Sequence, residues 1–178
     1  RRLVGQRADA SLEANLATSL HNLGNALVVQ GRPGAAIEHY EKAVEIQTRL
    51  GEQQRESDWA GDLALSHSHS GNALLSQQKF EAMISHYEKA IEILPGLIAK
   101  ERRSELANEL ALIHGNRGAV RRAQGKLDAS VADFGVAIKM LAALIEQQGR
   151  SASPLEQTNR SARPIVRSHV DIVIAYSE

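Results

Sequence analysis

The chain has no cysteine, which excludes disulfides, thiol nucleophiles and cysteine-ligated zinc while leaving the compartment open. Neither sign of charge is in excess. Twenty-one Lys plus Arg balance twenty-one Asp plus Glu, so no net field draws the molecule to nucleic acid or to an anionic membrane, and neither is an expected partner. No apolar run approaches the ~20 residues that span a bilayer, and the first residues hold no apolar signal region. The expectation is a soluble, cytoplasmic protein. There is also no glycine-rich phosphate loop after a strand, no nucleophile elbow, and no acidic pair beyond ordinary helix-surface pairing. No catalytic residue is assigned and no enzyme is expected. What is present, 43% hydrophobic and 24% charged residues in 178, suffices for a sizeable folded domain and argues against disorder.

Gly24-Asn25-Ala26-Leu27 returns as Gly71-Asn72-Ala73-Leu74 and, degraded, as Gly118-Ala119-Val120-Arg121, each copy 47 residues after the last. Leu3, Leu50, Leu97 and Leu144 follow the same period. Residues 1–10 therefore read as the end of a preceding repeat in a longer array. Repeats of 11–56, 57–103 and 104–149 follow, then a linker and degenerate C-terminal capping helix over 150–178. Within the first repeat, Leu12, Leu16, Leu20, Leu23 and Leu27 have the three-and-four spacing of an amphipathic helix. Gly31-Arg32-Pro33 interrupts it, and Pro33 opens a second helix over about 34–50 carrying Ala36, Ile37, Tyr40, Ala43, Val44 and Leu50 on one side. Gly51 favours a stop.

The second repeat has Ser57 as candidate N-cap, then a helix with Trp59, Leu63, Leu74 and Leu75, then another from Phe80 to Arg102. Pro95 predicts a kink or one-turn break there. The third repeat begins at Ser104 and spans 105–124 and 127–148, with Gly149 as its end. Beyond it, Ser153-Pro154-Leu155-Glu156 has the form of a capping box, and Val166, Val170, Val173 and Ile174 make another apolar stripe. A glycine inside a helix costs about 1 kcal/mol relative to alanine, so one at the same slot of three first helices marks a place where helices touch. Tyr40, Tyr87 and Phe134 supply the large buried side chains, and truncating one to Ala is expected to cost roughly 3–5 kcal/mol.

These residues resemble the tetratricopeptide repeat family, whose stacked antiparallel helix pairs form a right-handed superhelical solenoid. The family's first-helix pattern is met by Leu20, Leu23, Gly24 and Leu27, and its second-helix pattern by Ala36, Tyr40, Ala43 and Thr48. The second repeat matches with His67, Ser70, Gly71, Leu74, Met83, Tyr87, Ala90 and Pro95. The third matches with His114, Arg117, Gly118, Arg121, Ser130, Phe134, Ala137 and Ala142. The resemblance implies an all-α fold. The period of 47 exceeds the family's usual mid-thirties and is similar to long-helix variants such as kinesin light chains and the repeat regions of bacterial signalling proteins. Arg117 and Arg121 depart from the apolar residues the pattern expects.

If Leu20, Leu23, Gly24 and Leu27 face the core, the opposite stripe of the first helix is Thr18, His21, Asn22, Asn25 and Val28 or Val29. Its counterparts are Leu65, Ser68, His69, Asn72 and Leu75 or Ser76 in the second repeat, and Leu112, Gly115, Asn116, Ala119 and Arg122 in the third. In the resembling family this face lines a concave groove that binds extended or helical peptides. An amide both donates and accepts, so it holds a peptide backbone without reading its sequence. Asn25, Asn72, His21, Asn22, His69, Asn116 and Arg122 are therefore the candidate peptide-binding residues. Asparagines that bond water or cap neighbouring repeats are the competing reading. Replacing Asn25 and Asn72 together by Ala is expected to abolish capture and leave the melting curve nearly intact.

Arg117 and Arg121, four apart on one face, either clamp an anionic group of a partner or sit solvated near a helix C-terminus, where the dipole favours cations. His67 and His69 point in different directions and make a poor chelate. His67 and His114 share a slot suited to packing between helices, while His39 and His86 share an outer slot explained by solvent exposure. No metal and no cofactor are expected. A scaffold for a protein or peptide partner is the leading reading. The alternatives are self-association or domain stacking through exposed array ends, possible as a homo-oligomer, and last a helical enzyme.

Overall fold

The computed structural model describes residues 2–54, 59–101 and 105–151. Six helices account for nearly all of them: α1 (Arg2–Val29), α2 (Pro33–Gln54), α3 (Ala60–Ala73), α4 (Phe80–Glu101), α5 (Glu105–Ala123) and α6 (Leu127–Ser151). The chain is all-α, with no strand among the described residues. It divides into two compact units, the first running through Leu106 and the second starting at Ala107. Ser57, Ser104 and the expected C-terminal capping helix beyond Ser151 lie outside the described residues.

Tight turns join the partners of each helix pair. At the end of α1 the Arg32 amide donates to the Leu27 carbonyl and the Gly31 amide to that of Val28, with Gly31 at φ +74°. This double bond pattern around a left-handed residue closes a helix C-terminus and reverses the chain. The α5–α6 turn repeats it through Lys126 to Arg121 and Gly125 to Arg122, with Gly125 at φ +75°. Between α3 and α4 the left-handed position is taken by Gln78 at φ +53°, after a tightened 3-10 turn over Leu74–Gln77.

In the first unit α1 lies on α2, α3 on α4, and α2 on α3, with a smaller contact between α1 and α3. The buried stripe of α2 is Ala36, Ile37, Tyr40, Ala43, Gln47 and Leu50, and that of α4 is Met83, Tyr87, Ala90, Leu94 and Leu97. Both follow the expected faces. The face of α1 does not. Ala10, Ala14, Ala17, Gly24 and Leu27 are buried, whereas Leu12, Leu16 and Leu23 are 67%, 52% and 46% exposed. A ridge of small residues lets helix axes approach closely, and the leucines then point away from α2 and α3. Ala10 and Ala14 meet Leu50, with Ile46 and Trp59 packed against them.

The glycine slots behave as their spacing implied. A Cβ on Gly24 would lie 2.5 Å from Tyr40 Cε1, one on Gly71 2.6 Å from Tyr87 Cε1, and one on Gly118 3.2–3.3 Å from Asp133 and Phe134. Helix ends are less faithful to expectation. α2 runs through Gly51 to Gln54 and α6 through Gly149 to Ser151, because glycine permits a left-handed stop without imposing one. Among the described residues, only Gly31 and Gly125 of the glycines have positive φ. α4 continues through Pro95 without a break. α1 is continuous from Arg2, so residues 2–10 are its first turns.

Candidate functional site

The polar slots of α1 and α3 are organised by α2 and α4. Tyr40, 2% exposed, donates its phenolic O–H to Asn25 Oδ1 at 2.7 Å. Tyr87, 1% exposed, does the same to Asn72 Oδ1 at 2.8 Å. Both lengths lie within the usual range of an O–H···O bond. Burial pushes the Tyr40 phenol up to about 12, so it stays protonated and remains a donor. Asn25 is half-buried and Asn72 exposed, so each amide spans the rim between core and surface.

This contact corrects one expectation. Asn25→Ala with Asn72→Ala is expected to cost stability as well, roughly 1–3 kcal/mol at Tyr40, because it removes the amide oxygen to which each buried hydroxyl donates. A clean removal takes the tyrosine hydroxyl as well. The signal was in the sequence as a fixed 15-residue separation between each asparagine and its tyrosine, which helical periodicity alone does not reveal.

His21 and His69 bridge α1 and α3. His21 Nδ1 lies 3.0 Å from Ser66 Oγ, and His21 Nε2 lies 3.1 Å from His69 Nδ1. Their ring centroids are 4.8 Å apart, and Tyr40 stands edge-on to both, at 5.5 Å from His21 and 5.8 Å from His69. Both histidines are half-buried, and Asn22 beside them is exposed. The structure thus brings His21, His69, Asn22, Asn25 and Asn72 to α1 and α3 of one unit. Ser68, placed by its spacing on the same stripe, is instead 1% exposed.

His67 turns the other way, as its spacing from His69 implied. Its Nδ1 lies 3.0 Å from His86 Nδ1, so one ring donates and the other accepts. Burial, reinforced by His86 and Lys89, pushes His67 down to about 4, and burial with Lys89 lowers His86. His86 is therefore a half-buried partner and not the solvated outer residue expected. His39, in the equivalent slot, is also half-buried, with its Nδ1 unbonded.

In the second unit Asn116 is half-buried on α5 and Arg122 exposed in its last turn. Arg117 and Arg121 follow neither reading given for them. Both grip Asp133 of α6, which is 3% exposed: Arg117 through Nε at 3.1–3.2 Å and Nη2 at 2.6 Å, Arg121 through Nη1 at 2.9 Å. His114 Nδ1 stands 3.5 Å from the same carboxylate, and burial lowers its pKa although Asp133 opposes this. Ser130 donates its hydroxyl to the Gly118 carbonyl at 2.7 Å. The clamp is built, but on a carboxylate of the same chain.

Residues 15–94 match the family model for the tetratricopeptide repeat. No match was found among curated proteins. Among solved structures, the N-terminal domain of stress-induced protein-1 (STI-1) from C. elegans is 20% identical over 72% of this chain and 86% of its own, with a TM-score of 0.54. BtubC (BKLC) from P. vanneervenii is 22% identical over 83% of this chain, with a TM-score of 0.62, and the match covers 54% of its length. The second TPR of Spaghetti (RPAP3), bound to the HSP90 peptide SRMEEVD, is 21% identical over 76% of this chain and 95% of its own, with a TM-score of 0.52. Helix pairs closed by tight turns and glycines seated on the rings of the following helix accord with this shared fold, and residues 15–94 match the tetratricopeptide repeat.

Proposed function

We propose that the chain is a protein-interaction scaffold whose first unit holds a peptide or a partner's extended segment along the α1 and α3 face, with Asn25, Asn72, Asn22, His21 and His69 as its contacts. The observation that carries this is the recurrence of a tyrosine-held asparagine at the same rim position of two successive helix pairs. A repeated amide is suited to a repeated backbone. The RPAP3 domain of like fold, bound to a heptapeptide, supports the mode and not the ligand. Asn116 and Arg122 are proposed as contacts of the second unit, taken by itself. The reading is of a binding module rather than a catalyst, and of a protein working in the cytoplasm.

Selection of a random dodecapeptide library on the full chain tests this. Enriched peptides should lose binding to a variant carrying Asn25→Ala, Tyr40→Phe, Asn72→Ala and Tyr87→Phe, in which both members of each pair are removed. No enrichment, or equal capture by the variant, would sink the reading. A second reading, self-association, is favoured by the exposed Leu12, Leu16 and Leu23 on α1 and by Leu127, Val131, Ile138 and Ile145 on α6, which are 62–71% exposed. Sedimentation across a concentration series decides it.

A further inference from the structure

The 47-residue period allows each bare helix face to be compared with its own copies in the same chain. On α1, Leu12, Leu16, Ser19 and Leu23 are exposed. Their copies 47 residues on, Trp59, Leu63, Ser66 and Ser70, are half-buried or buried at the start of α3 and along it. That face of α3 meets the preceding helix pair, for Trp59 packs against the cluster of Ala10, Ala14 and Leu50, and Ser66 Oγ lies 3.0 Å from His21 Nδ1. One period further, Leu106, Leu110 and Ile113 are buried too. On α6, Val131, Ile138 and Ile145 are exposed, seven residues apart and so on one side of the helix. Their copies on α4, Ile84, Ile91 and Ile98, are half-buried, while on α2 Ile37 is buried and Val44 half-buried. Leu144 is half-buried where Leu50 and Leu97 are buried. The bare faces of α1 and α6 are therefore the two sides of a contact that the chain already makes within itself, between α2 and α3. Exposed apolar rows of this kind mark interaction surfaces.

We propose that a second copy of this chain covers each face, α6 of one copy lying on α1 of the next as α2 lies on α3. Leu12 then takes toward Leu144 the place that Trp59 takes in the Leu50 cluster. The inference rests on the self-association reading above and adds its two surfaces and its direction. Both halves of the contact are carried by one polypeptide, so any copy supplies the partner for any other. Because the halves differ, the pairing is head-to-tail, and each added copy still presents one α1 face and one α6 face to the next. A pairing of like faces, α1 on α1, has no counterpart among the described residues.

Sedimentation velocity of the full chain over a concentration series should show a mass that rises past the dimer. Leu12→Lys with Leu16→Lys blocks one surface, and Val131→Lys with Ile138→Lys the other. All four side chains are exposed, so each variant should keep the helical circular dichroism of the wild type. Each variant alone should sediment as a monomer. An equal mixture of the two should reach about twice the monomer mass and stop there, since one intact α6 meets one intact α1. The chain has no cysteine, so Leu12→Cys in one copy and Leu144→Cys in another should be joined by a short bismaleimide, and two copies of Leu12→Cys should not. If the wild type associates but either blocked variant still does so alone, or the mixture stays monomeric, the pairing is overturned and self-association through another surface stands. Complete crosslinking of Ile138→Cys to Val170→Cys within one monomer would give the α6 face to the chain's own C-terminal segment and also overturn the pairing. A wild type that is monomeric at every concentration overturns the self-association reading and this inference with it.

Discussion

At Gly24 and Gly71 there is no room for a methyl group. A Cβ would sit 2.5–2.6 Å from a tyrosine ring carbon that is itself fully enclosed, so the ring or the helix must move. Gly24→Ala gains about 1 kcal/mol of helix propensity, yet overpacking of this kind costs about 1–3 kcal/mol. We expect a net loss of stability at Gly24 and Gly71, read as a lower urea midpoint, and a smaller one at Gly118, where the nearest atoms lie 3.2–3.3 Å away. Asp133 is the other decisive residue. Two guanidinium groups, 13% and 21% exposed, converge on its carboxylate. Asp133→Ala should destabilise the second unit by roughly 3 kcal/mol, because it strands two largely desolvated cations. A midpoint within error of wild type would show the arginines rehydrating freely.

Among the elements, α3 and its junction with α4 carry most of the departures from the repeat. Gln78 holds a left-handed conformation that Gly31 and Gly125 hold at the other two turns. Gln78→Gly should raise stability by about 0.5–1 kcal/mol, measured by denaturation. The α3–α4 contact also has a pH dependence of definite sign. His67 is pushed from its ordinary 6.5 down to about 4 by burial, then by His86 and Lys89. The unfolded chain therefore binds more protons than the folded one in that interval. The stabilising difference is complete above about pH 6.5 and is lost as pH falls toward 4. Urea midpoints at about pH 7.5 and about pH 5 should differ, with the lower pH less stable, and His67→Leu with His86→Leu should remove most of that difference. A flat profile in the wild type would mean the pair relaxes to admit water.

For the molecule as a whole, the surface of α1 is where hydrophobicity and burial part company. Leu12 and Leu16 are exposed, so Leu12→Lys with Leu16→Lys should change stability by no more than about 0.5 kcal/mol, while reducing any concentration-dependent sedimentation. A large drop in stability would show the leucines buried in the folded chain. Much of the fold was legible. The glycine and aromatic slots, the three-and-four spacing, and Gly31 before Pro33 specify helix pairs joined by tight turns, because each is a local or periodic requirement. The α1 face was misread because leucine outweighs alanine on any hydrophobicity scale, whereas close helix approach favours alanine.

The candidate site divides along the same line. The positions of Asn25 and Asn72 on their helices, and the opposed directions of His67 and His69, follow from helical geometry and were fixed once α1 and α3 were recognised. What those side chains touch was not. A hydrogen bond between Tyr40 and Asn25, a chain of contacts from Ser66 through His21 to His69, and a carboxylate held by Arg117 and Arg121 each join different helices. Periodicity within a helix assigns a face, but a partner is chosen by the rotation and approach of the neighbouring helix. By itself the sequence determined an all-α chain of glycine-seated helix pairs. Only the tertiary structure decided that its asparagines are held by tyrosines and its arginines are spent inside, because those outcomes depend on distances of about 3 Å between residues separated by 12 to 48 positions.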